Sequence, residues 1–314
     1  MAALDSLLDE AWAVSRRHCG HNITFYLPGM FIYDSMKGNY PAISITGKRC
    51  DLHCEHCRGK LLASMVAAPH PATLIESCRR LAAEGAVGVL LSGGCDSSGR
   101  LPWRDFLDAV EQVKSLTGLH ISVHTGFIGK NEAKSLQAAG VDQALIDIIG
   151  DESIYQRVFH IQDGRRRLLQ SLDAITEAGL QLIPHIVSGI DYGTVKAEER
   201  ALTLLSGYPL KKLVIVSLMA LPGTGMSTIR VAPEDTAAVI ARARLLFPDT
   251  PISLGCARRR GDRELELLAL RAGVNAMALP SEEVIACARA AGLVVSFQKT
   301  CCSLPPISAT PVWS

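Results

Sequence analysis

Three cysteines in one short run, Cys50, Cys54 and Cys57, have the residue type and spacing that could perform chemistry. Their spacing is C-x3-C-x2-C, so three thiolates can ligate one metal cluster. Ferredoxin-type sequences supply four cysteines to a [4Fe-4S] cube, whereas this run supplies only three. A cube held by three cysteines leaves one iron open to a small ligand, as in a catalytic metal site. The alternative is a zinc knuckle, but the next cysteine, Cys78, lies in a helical pattern rather than in a second ligand pair.

The cysteine run follows a short apolar segment, Ala42 to Thr46, and this arrangement resembles the signature of radical S-adenosylmethionine (SAM) enzymes. In that family the open iron binds the amino and carboxylate groups of SAM, and SAM cleavage gives a 5'-deoxyadenosyl radical. The resemblance therefore implies a [4Fe-4S] cluster on the three cysteines and SAM as a second cofactor. The family often has an aromatic residue just before the third cysteine, and here that residue is His56.

The composition argues against a nucleic-acid-binding or membrane protein and favours metal or redox chemistry. The 314 residues are 48% hydrophobic with a net charge of +1, and no run of Lys and Arg indicates a nucleic-acid or membrane partner. No segment has the pattern of a signal peptide or of a membrane span, so we expect a cytoplasmic protein. Ten cysteines in such a protein favour metal or redox chemistry over a disulfide scaffold.

From residue 42 onward, eight short aliphatic segments alternate with segments of helical periodicity. The predicted strands are 42–46, 88–92, 120–124, 144–149, 180–187, 213–219, 252–256 and 275–279. Several of the helices between them end in a glycine that suits a left-handed C-cap, namely Gly85, Gly140, Gly179 and Gly273. Strands separated by helices pair in parallel, and eight such units favour a (β/α)8 barrel over a doubly wound sheet.

The predicted organisation is one α/β domain with additions at both ends. Residues 1–41 would form an amphipathic helix, Leu4 to Arg17, and an irregular lead-in. Residues 42–292 would form a TIM-type barrel, with the radical SAM fold that the resemblance implies. Residues 293–314 would form a short tail over the barrel mouth. Active sites of such barrels lie on the loops that follow the strands, and the cysteine run is one of those loops.

A glycine pair follows the second predicted strand. Gly93 and Gly94 resemble the family's Gly-Gly-Glu segment, whose backbone receives the amino group of SAM. Cys95 stands where that segment has glutamate, so only the backbone role carries over. The alternative is a plain turn, since two glycines need no ligand to explain them.

Two further loops at the same face are candidate SAM contacts. Asp147 lies late in the aliphatic fourth strand, where a buried carboxylate needs a partner. That partner could be a ribose hydroxyl of SAM or, equally, a neighbouring arginine. Gly223 and Thr224 follow the sixth strand and resemble the adenine-side loop of biotin synthase-like members.

Four other cysteines suggest a second metal site. Cys95 and Cys256 end predicted strands at the expected active-site face, while Cys301 and Cys302 lie in the tail. Residues 253–277 also look like the end of the biotin synthase barrel, which extends the resemblance over about 42–281. In biotin synthase and lipoyl synthase, a second iron–sulfur cluster supplies the inserted sulfur. The alternative is that two of the cysteines are packed thiols and the adjacent pair has no role.

The functional hypothesis is a radical SAM enzyme that abstracts hydrogen from an unactivated carbon, with sulfur insertion as the specific form. The N-terminal cysteine triplet and C-terminal Arg-Ser-Ser motif of lipoyl synthases are absent, and the outline is similar to a subunit of the two-component lipoyl synthases. That resemblance implies an octanoyl group on a lipoyl carrier protein as substrate, a second radical SAM subunit, and ferredoxin or flavodoxin as electron donor. The alternatives are an isomerase, methylase or maturase without a sulfur donor, and a non-catalytic iron–sulfur scaffold or electron carrier. The open fourth ligand disfavours the electron carrier.

Overall fold

Short aliphatic runs that are buried on both faces build the strands of this protein, in a computed structural model that describes residues 2–33 and 35–306. The helices are α1 (Ala2–Cys19), α2 (Pro71–Ala83), α3 (Leu107–Thr117), α4 (Lys130–Ala138), α5 (Glu152–Val158), α6 (Gly164–Glu177), α7 (Ala197–Leu205), α8 (Pro233–Leu246), α9 (Arg263–Arg271) and α10 (Glu282–Ala290). The strands are β1 (Asn22–Tyr26), β2 (Ile32–Tyr33), β3 (Met36–Lys37), β4 (Ala42–Ser44), β5 (Val66–Ala67), β6 (Gly88–Ser92), β7 (His120–His124), β8 (Gln143–Asp147), β9 (Gln181–Ser188), β10 (Leu213–Ser217), β11 (Ile252–Leu254), β12 (Ala276–Ala278) and β13 (Val294–Gln298).

The described chain divides into two compact units. Unit 1 contains the described residues of 1–28, 148–150 and 184–314, and unit 2 those of 29–147 and 151–183. In unit 1 the strands run in the order β13-β1-β12-β11-β10-β9, and every pair for which a register is defined is parallel. In unit 2 the order is β8-β7-β6-β4-β5, again parallel, beside the small antiparallel hairpin β2-β3.

The leading helix α1 flanks α8 and α9 within unit 1. On its buried face, the hydroxyl of Ser15 donates to the carbonyl oxygen of Gly273 at 2.7 Å. On its outer face, Arg271 pairs with Asp5 at 3.1 Å and with Asp9 at 3.2 Å. The predicted N-terminal amphipathic helix is therefore confirmed, and it packs against two other helices of unit 1.

The alternation of strand and helix confirms the α/β class and all eight predicted strands, with ends shifted by at most two residues. Among the described strands beyond those eight, β1 and β13 pair with each other along their whole length. The lead-in after the first helix was predicted to be irregular, but its residues Asn22–Tyr26 form the regular strand β1. Helix α5 also lies in a stretch for which the sequence predicted no helix. In the part of the chain that the structure describes, no helix has both the length and the apolar character needed to cross a bilayer.

A fully buried arginine, Arg244 on α8, holds together the turn that follows its own helix. Its guanidinium donates to the carbonyl oxygens of Phe247 at 3.1 Å, Pro248 at 3.0 Å and Thr250 at 2.9 Å. It also donates to the side-chain oxygen of Asn275. Burial lowers the pKa of Arg244, because the low-polarity surroundings disfavour its charge.

We expect Arg244→Leu to lower the free energy of unfolding by about 3 kcal/mol or more, because several buried carbonyl oxygens would lose their donor at about 1–3 kcal/mol each. Urea denaturation followed by circular dichroism measures this change. Arg242→Leu is the matched control, since Arg242 lies on the same helix but forms a surface ion pair with Glu199 at 3.0 Å. That control should change stability by less than about 1 kcal/mol. Equal shifts for the two variants would contradict the assigned role of Arg244.

Candidate functional site

The cysteine loop follows β4 in unit 2 and brings its three thiols together. The amides of Cys57 and Arg58 both donate to the carbonyl oxygen of Cys54, at 3.1 and 2.9 Å, which folds the loop into a tight turn. His53 and Arg58 adopt left-handed backbone angles, with φ of 47° each. This conformation is uncommon for residues other than glycine, and the surrounding structure must stabilise it. The loop geometry is therefore built to turn the cysteines toward one another.

The charges of these thiols interact strongly. A hydrogen bond from Cys54 lowers the pKa of Cys57 to about 4, despite the opposing effect of burial. The same hydrogen bond, with burial and the charges of Cys57 and Cys50, raises the pKa of Cys54. Three thiolates this close repel one another without a cation between them. The donor set thus fits a positively charged iron centre that all three cysteines share.

Among the described residues, no group of three or more His, Cys, Asp or Glu side chains is arranged to hold a single metal ion. An iron–sulfur cluster on Cys50, Cys54 and Cys57 stays a prediction.

Helix α5 supports the cysteine loop from one side of unit 2. The amide of Glu55 donates to the carbonyl oxygen of Val158 at 2.9 Å, and the Glu55 carboxylate lies 3.3 Å from the ring of His160. The ring of His56 packs on Phe159, with centroids 5.4 Å apart. His56 also hydrogen-bonds to Cys57, which helps to lower the pKa of that thiol. In this way His56 fills the place of the aromatic residue that is common before the third cysteine.

The loop after β6, residues 93–95, packs directly on the cysteine loop. The Gly94 amide donates to the hydroxyl of Thr46 at 2.7 Å, and the amide of Asp51 donates to the carbonyl oxygen of Cys95 at 2.8 Å. A Cβ atom on Gly94 would overlap with the Arg49 carbonyl oxygen and with the backbone of Cys50. The absence of a side chain at Gly94 is thus required by the cysteine loop itself. Contact of Gly93 and Gly94 with SAM stays a prediction.

Cys95 lies beside the cysteine loop in unit 2. Burial raises the pKa of the Cys95 thiol to about 12, and the charges of Cys50, Asp96 and Asp147 add to this effect. Its neighbours in this unit are therefore residues of the cysteine loop and of the end of β8. A role for Cys95 in a second cluster stays a prediction.

Asp147 ends β8 and is more exposed than the sequence suggested. Its side chain is 44% exposed, so its carboxylate is not the buried group that was expected. It lies 3.9 Å from the Nε2 atom of His124, which ends the neighbouring strand β7. In the described structure its ion-pair partner is this histidine and not an arginine. Binding of a SAM ribose by Asp147 stays a prediction.

Gly223 and Thr224 form a turn after β10 in unit 1. The Thr224 hydroxyl donates to the carbonyl oxygen of Leu221 at 2.8 Å, and Gly223 has a positive φ of 72°. Both residue types are therefore explained by the turn, because only glycine adopts that angle easily. Contact of these two residues with SAM stays a prediction.

Unit 1 gathers the three other candidate cysteines, Cys256, Cys301 and Cys302. Cys301 and Cys302 hydrogen-bond to each other through their side chains. The charge of Cys301 acts on the thiol of Cys256, and the charge of Cys256 acts on that of Cys302. Burial raises the pKa of Cys256 to about 11. The hydrogen bond between the adjacent cysteines lowers the pKa of Cys301 and raises that of Cys302.

A buried ion pair fixes the turn that carries Cys256. Arg258 donates to the carbonyl oxygen of Gly255 at 2.8 Å and to the carboxylate of Glu266, also at 2.8 Å. The other carboxylate oxygen of Glu266 accepts from the amide of Ser281 at 2.8 Å. Since both charged side chains are at most 4% exposed, this pair positions the turn firmly within unit 1.

Two functional candidates were missed by reading the sequence, Lys212 and Glu198. Lys212 precedes β10, is buried, and contacts the backbone of the cysteine pair. It is adjacent to the exposed Lys211, so the two lysines look alike in sequence. Glu198 on α7 is 3% exposed and accepts from the amide of Gly189 at 2.8 Å, which closes the loop after β9. Burial raises the pKa of Glu198.

Comparison with known proteins gives matches in sequence and in fold. Residues 209–300 match the model of the Biotin and Thiamin Synthesis associated domain. The biotin synthase of Halorhodospira halophila is 26% identical over 209 residues, covering 66% of this chain and 64% of that protein. The biotin synthase of Acidithiobacillus ferrooxidans is 24% identical over 247 residues, with 76% of each chain covered. The matches to the Halorhodospira protein and to three further biotin synthases cover between 52% and 64% of the length of those proteins.

Solved structures share the fold over nearly the whole chain. Methylornithine synthase superposes with a TM-score of 0.64 at 17% identity, covering 93% of this chain and 89% of that one. The [FeFe]-hydrogenase maturase HydG from Carboxydothermus hydrogenoformans gives a TM-score of 0.65 at 14% identity, covering 93% and 72%. The barrel fold class predicted from the sequence is thereby confirmed.

The chain thus shares the α/β barrel fold of the solved structures above, and it resembles radical SAM enzymes in carrying a C-x3-C-x2-C loop after a strand. In sequence it is similar to biotin synthases.

Proposed function

We propose that this protein is a radical SAM enzyme that inserts sulfur at an unactivated carbon. The observation that carries the proposal is the group of three cysteines in unit 1, which is separate in sequence from the cysteine loop of unit 2. A radical SAM enzyme that only isomerises or methylates needs no such second group of thiols. The relatedness to biotin synthases supports the same reaction class.

The residues of unit 2 would bind and orient the cofactors. Cys50, Cys54 and Cys57 would hold the [4Fe-4S] cluster, which together with bound SAM supplies the radical that abstracts hydrogen. The Gly94 amide is already bonded to Thr46, so the carbonyl oxygens of this loop are the groups that would accept from the SAM amino group. Asp147, at the end of β8, would accept from ribose hydroxyls. In unit 1, Gly223 and Thr224 would contact the adenine side.

The specific substrate in this proposal is an octanoyl group on a lipoyl carrier protein, converted to lipoyl. A second radical SAM subunit would act as partner, and ferredoxin or flavodoxin would deliver the electron. The protein would work in the cytoplasm. These parts of the proposal derive from the resemblance to two-component lipoyl synthases and depend on the sulfur-insertion chemistry being correct.

The test begins with a chain that carries Cys50→Ala, Cys54→Ala and Cys57→Ala, called the triple-alanine chain. After anaerobic loading with iron and sulfide, we expect it to retain one cluster per chain, because Cys256, Cys301 and Cys302 are unchanged. Iron and sulfide counts, with Mössbauer spectra, measure this. Adding Cys301→Ala and Cys302→Ala should remove that iron, while Cys287→Ala, which changes an exposed cysteine, should not.

An iron-free triple-alanine chain would overturn the second cluster. Sulfur insertion would then fall behind an isomerase, methylase or maturase activity that uses the first cluster alone. Failure of the complete, reduced protein to cleave SAM would instead favour the scaffold or electron-carrier alternative.

A further inference from the structure

The interior of unit 1 contains a lysine with an unusual set of partners. Lys212 is 5% exposed, and its ammonium donates to the carbonyl oxygens of Cys302 at 3.0 Å and Leu304 at 2.5 Å. The same nitrogen lies 5.0 Å from the centre of the Tyr26 ring. Each of these partners belongs to β1 or to the segment that follows β13.

A buried positive charge normally requires a negative one, because removing an ion from water is costly. In the described part of unit 1, no carboxylate pairs with Lys212. Its direct partners are instead backbone carbonyl oxygens of the segment that carries the cysteine pair. The acidic groups that this segment brings to the lysine are the thiols of Cys301 and Cys302.

The lysine also fixes the path of the chain after β13. The Tyr26 hydroxyl donates to the same Leu304 carbonyl oxygen, at 2.9 Å, and Tyr26 is fully buried. Cys302, Ser303 and Leu304 are each at most 3% exposed, although they belong to no helix or strand. Two interior donors thus hold the segment through the carbonyl oxygens of Cys302 and Leu304, and this anchoring uses neither thiol of the cysteine pair.

We propose that Lys212 anchors residues 301–304 inside unit 1 and supplies the fixed positive charge that balances an anionic sulfur centre held by Cys256, Cys301 and Cys302. The centre itself rests on the proposed function, whereas the anchoring does not. Lys212 acts through the cysteines and is a positioning residue. An iron–sulfur cluster on three thiolates carries net negative charge, and a nearby ammonium makes its reduction easier.

The first arm of the test uses the metal-free full-length protein and hydrogen exchange. In Lys212→Met, the amides of residues 301–304 should exchange at least tenfold faster, since their carbonyl anchor is lost. Lys211→Met is the matched control, because its side chain is exposed and adjacent in sequence. Circular dichroism and the melting temperature establish that each variant is folded. Unchanged exchange in a folded Lys212→Met protein would overturn the anchoring role.

The second arm uses the triple-alanine chain loaded with iron and sulfide. Lys212→Met should shift the midpoint potential of the remaining cluster to more negative values, whereas Lys212→Arg, which keeps the charge, and Lys211→Met should shift it less. Equal potentials in the Met and Arg variants would overturn the charge-balancing role. If the triple-alanine chain with Lys212 intact binds no iron, the sulfur centre fails, and the exchange arm still decides the anchor independently.

Discussion

Replacing Cys54 with alanine should abolish SAM cleavage by the reduced protein, with 5'-deoxyadenosine falling at least 1000-fold, to the detection limit. Cys54 is 5% exposed at the centre of the cysteine loop, and its thiol hydrogen-bonds to Cys57. Two thiolates cannot hold a cube that needs three protein ligands and one open iron. The measurement is chromatography of 5'-deoxyadenosine after anaerobic loading with iron and sulfide and reduction with dithionite.

Cys287→Ala provides the matched control for that experiment, since it removes an exposed cysteine on α10. It should keep the activity of the parent protein. Deoxyadenosine produced at a normal rate by Cys54→Ala would show that the cluster has other ligands, and the site assignment would be wrong.

Replacing Gly94 with alanine should also abolish SAM cleavage, because it should prevent the cysteine loop from holding its cluster. The Gly94 backbone is not in the left-handed region, so alanine carries no conformational penalty there. The cost arises because the added Cβ would overlap with Arg49 and Cys50, which displaces the cysteine loop. We expect at least a tenfold loss of bound iron after loading, together with loss of SAM cleavage.

Gly207→Ala is the control for this variant, because a Cβ at Gly207 has no neighbour within 4 Å in the described structure. Iron content and SAM affinity of both proteins are measured by colorimetric assay and by equilibrium dialysis. If Gly94→Ala kept its full iron content but bound SAM weakly, the glycine would serve the ligand and not the loop. Normal values for both quantities would reduce residues 92–95 to an ordinary turn.

The eight central strands were predictable because each is a short, locally encoded aliphatic run next to a periodic helix. β1 was not recognised as regular because its partners, β12 and β13, lie about 250 residues away in sequence. A strand of five residues carries little signal of its own among glycines, prolines and aromatics. Helix α5 has only seven residues, which is too short to show a clear helical period.

Site residues were likewise predictable where the signal is local in sequence, and they were missed where it comes from residues far apart in the chain. The cysteine loop is recognisable because its three candidate ligands lie within eight residues, so their spacing in the sequence is enough to indicate a metal site. Lys212 escaped notice because its importance comes from Tyr26 and Leu304, which are remote in sequence. The need for Gly94 was anticipated, but it was attributed to the ligand, because packing between two loops has no signature in either one.

The pairing of β1 with β12 and β13 has a consequence for biosynthesis. Tyr26 is aligned with Ala278 and Gln298, so the first strand leaves the ribosome some 250 residues before its neighbours exist. At roughly 5–20 residues per second, that delay is on the order of 10–50 s. Unit 2 is complete by residue 183, so it can fold during this interval. Meanwhile β1, with four of its five residues destined for burial, presents an apolar edge to the cell, and we expect the nascent chain to depend on chaperones until translation ends.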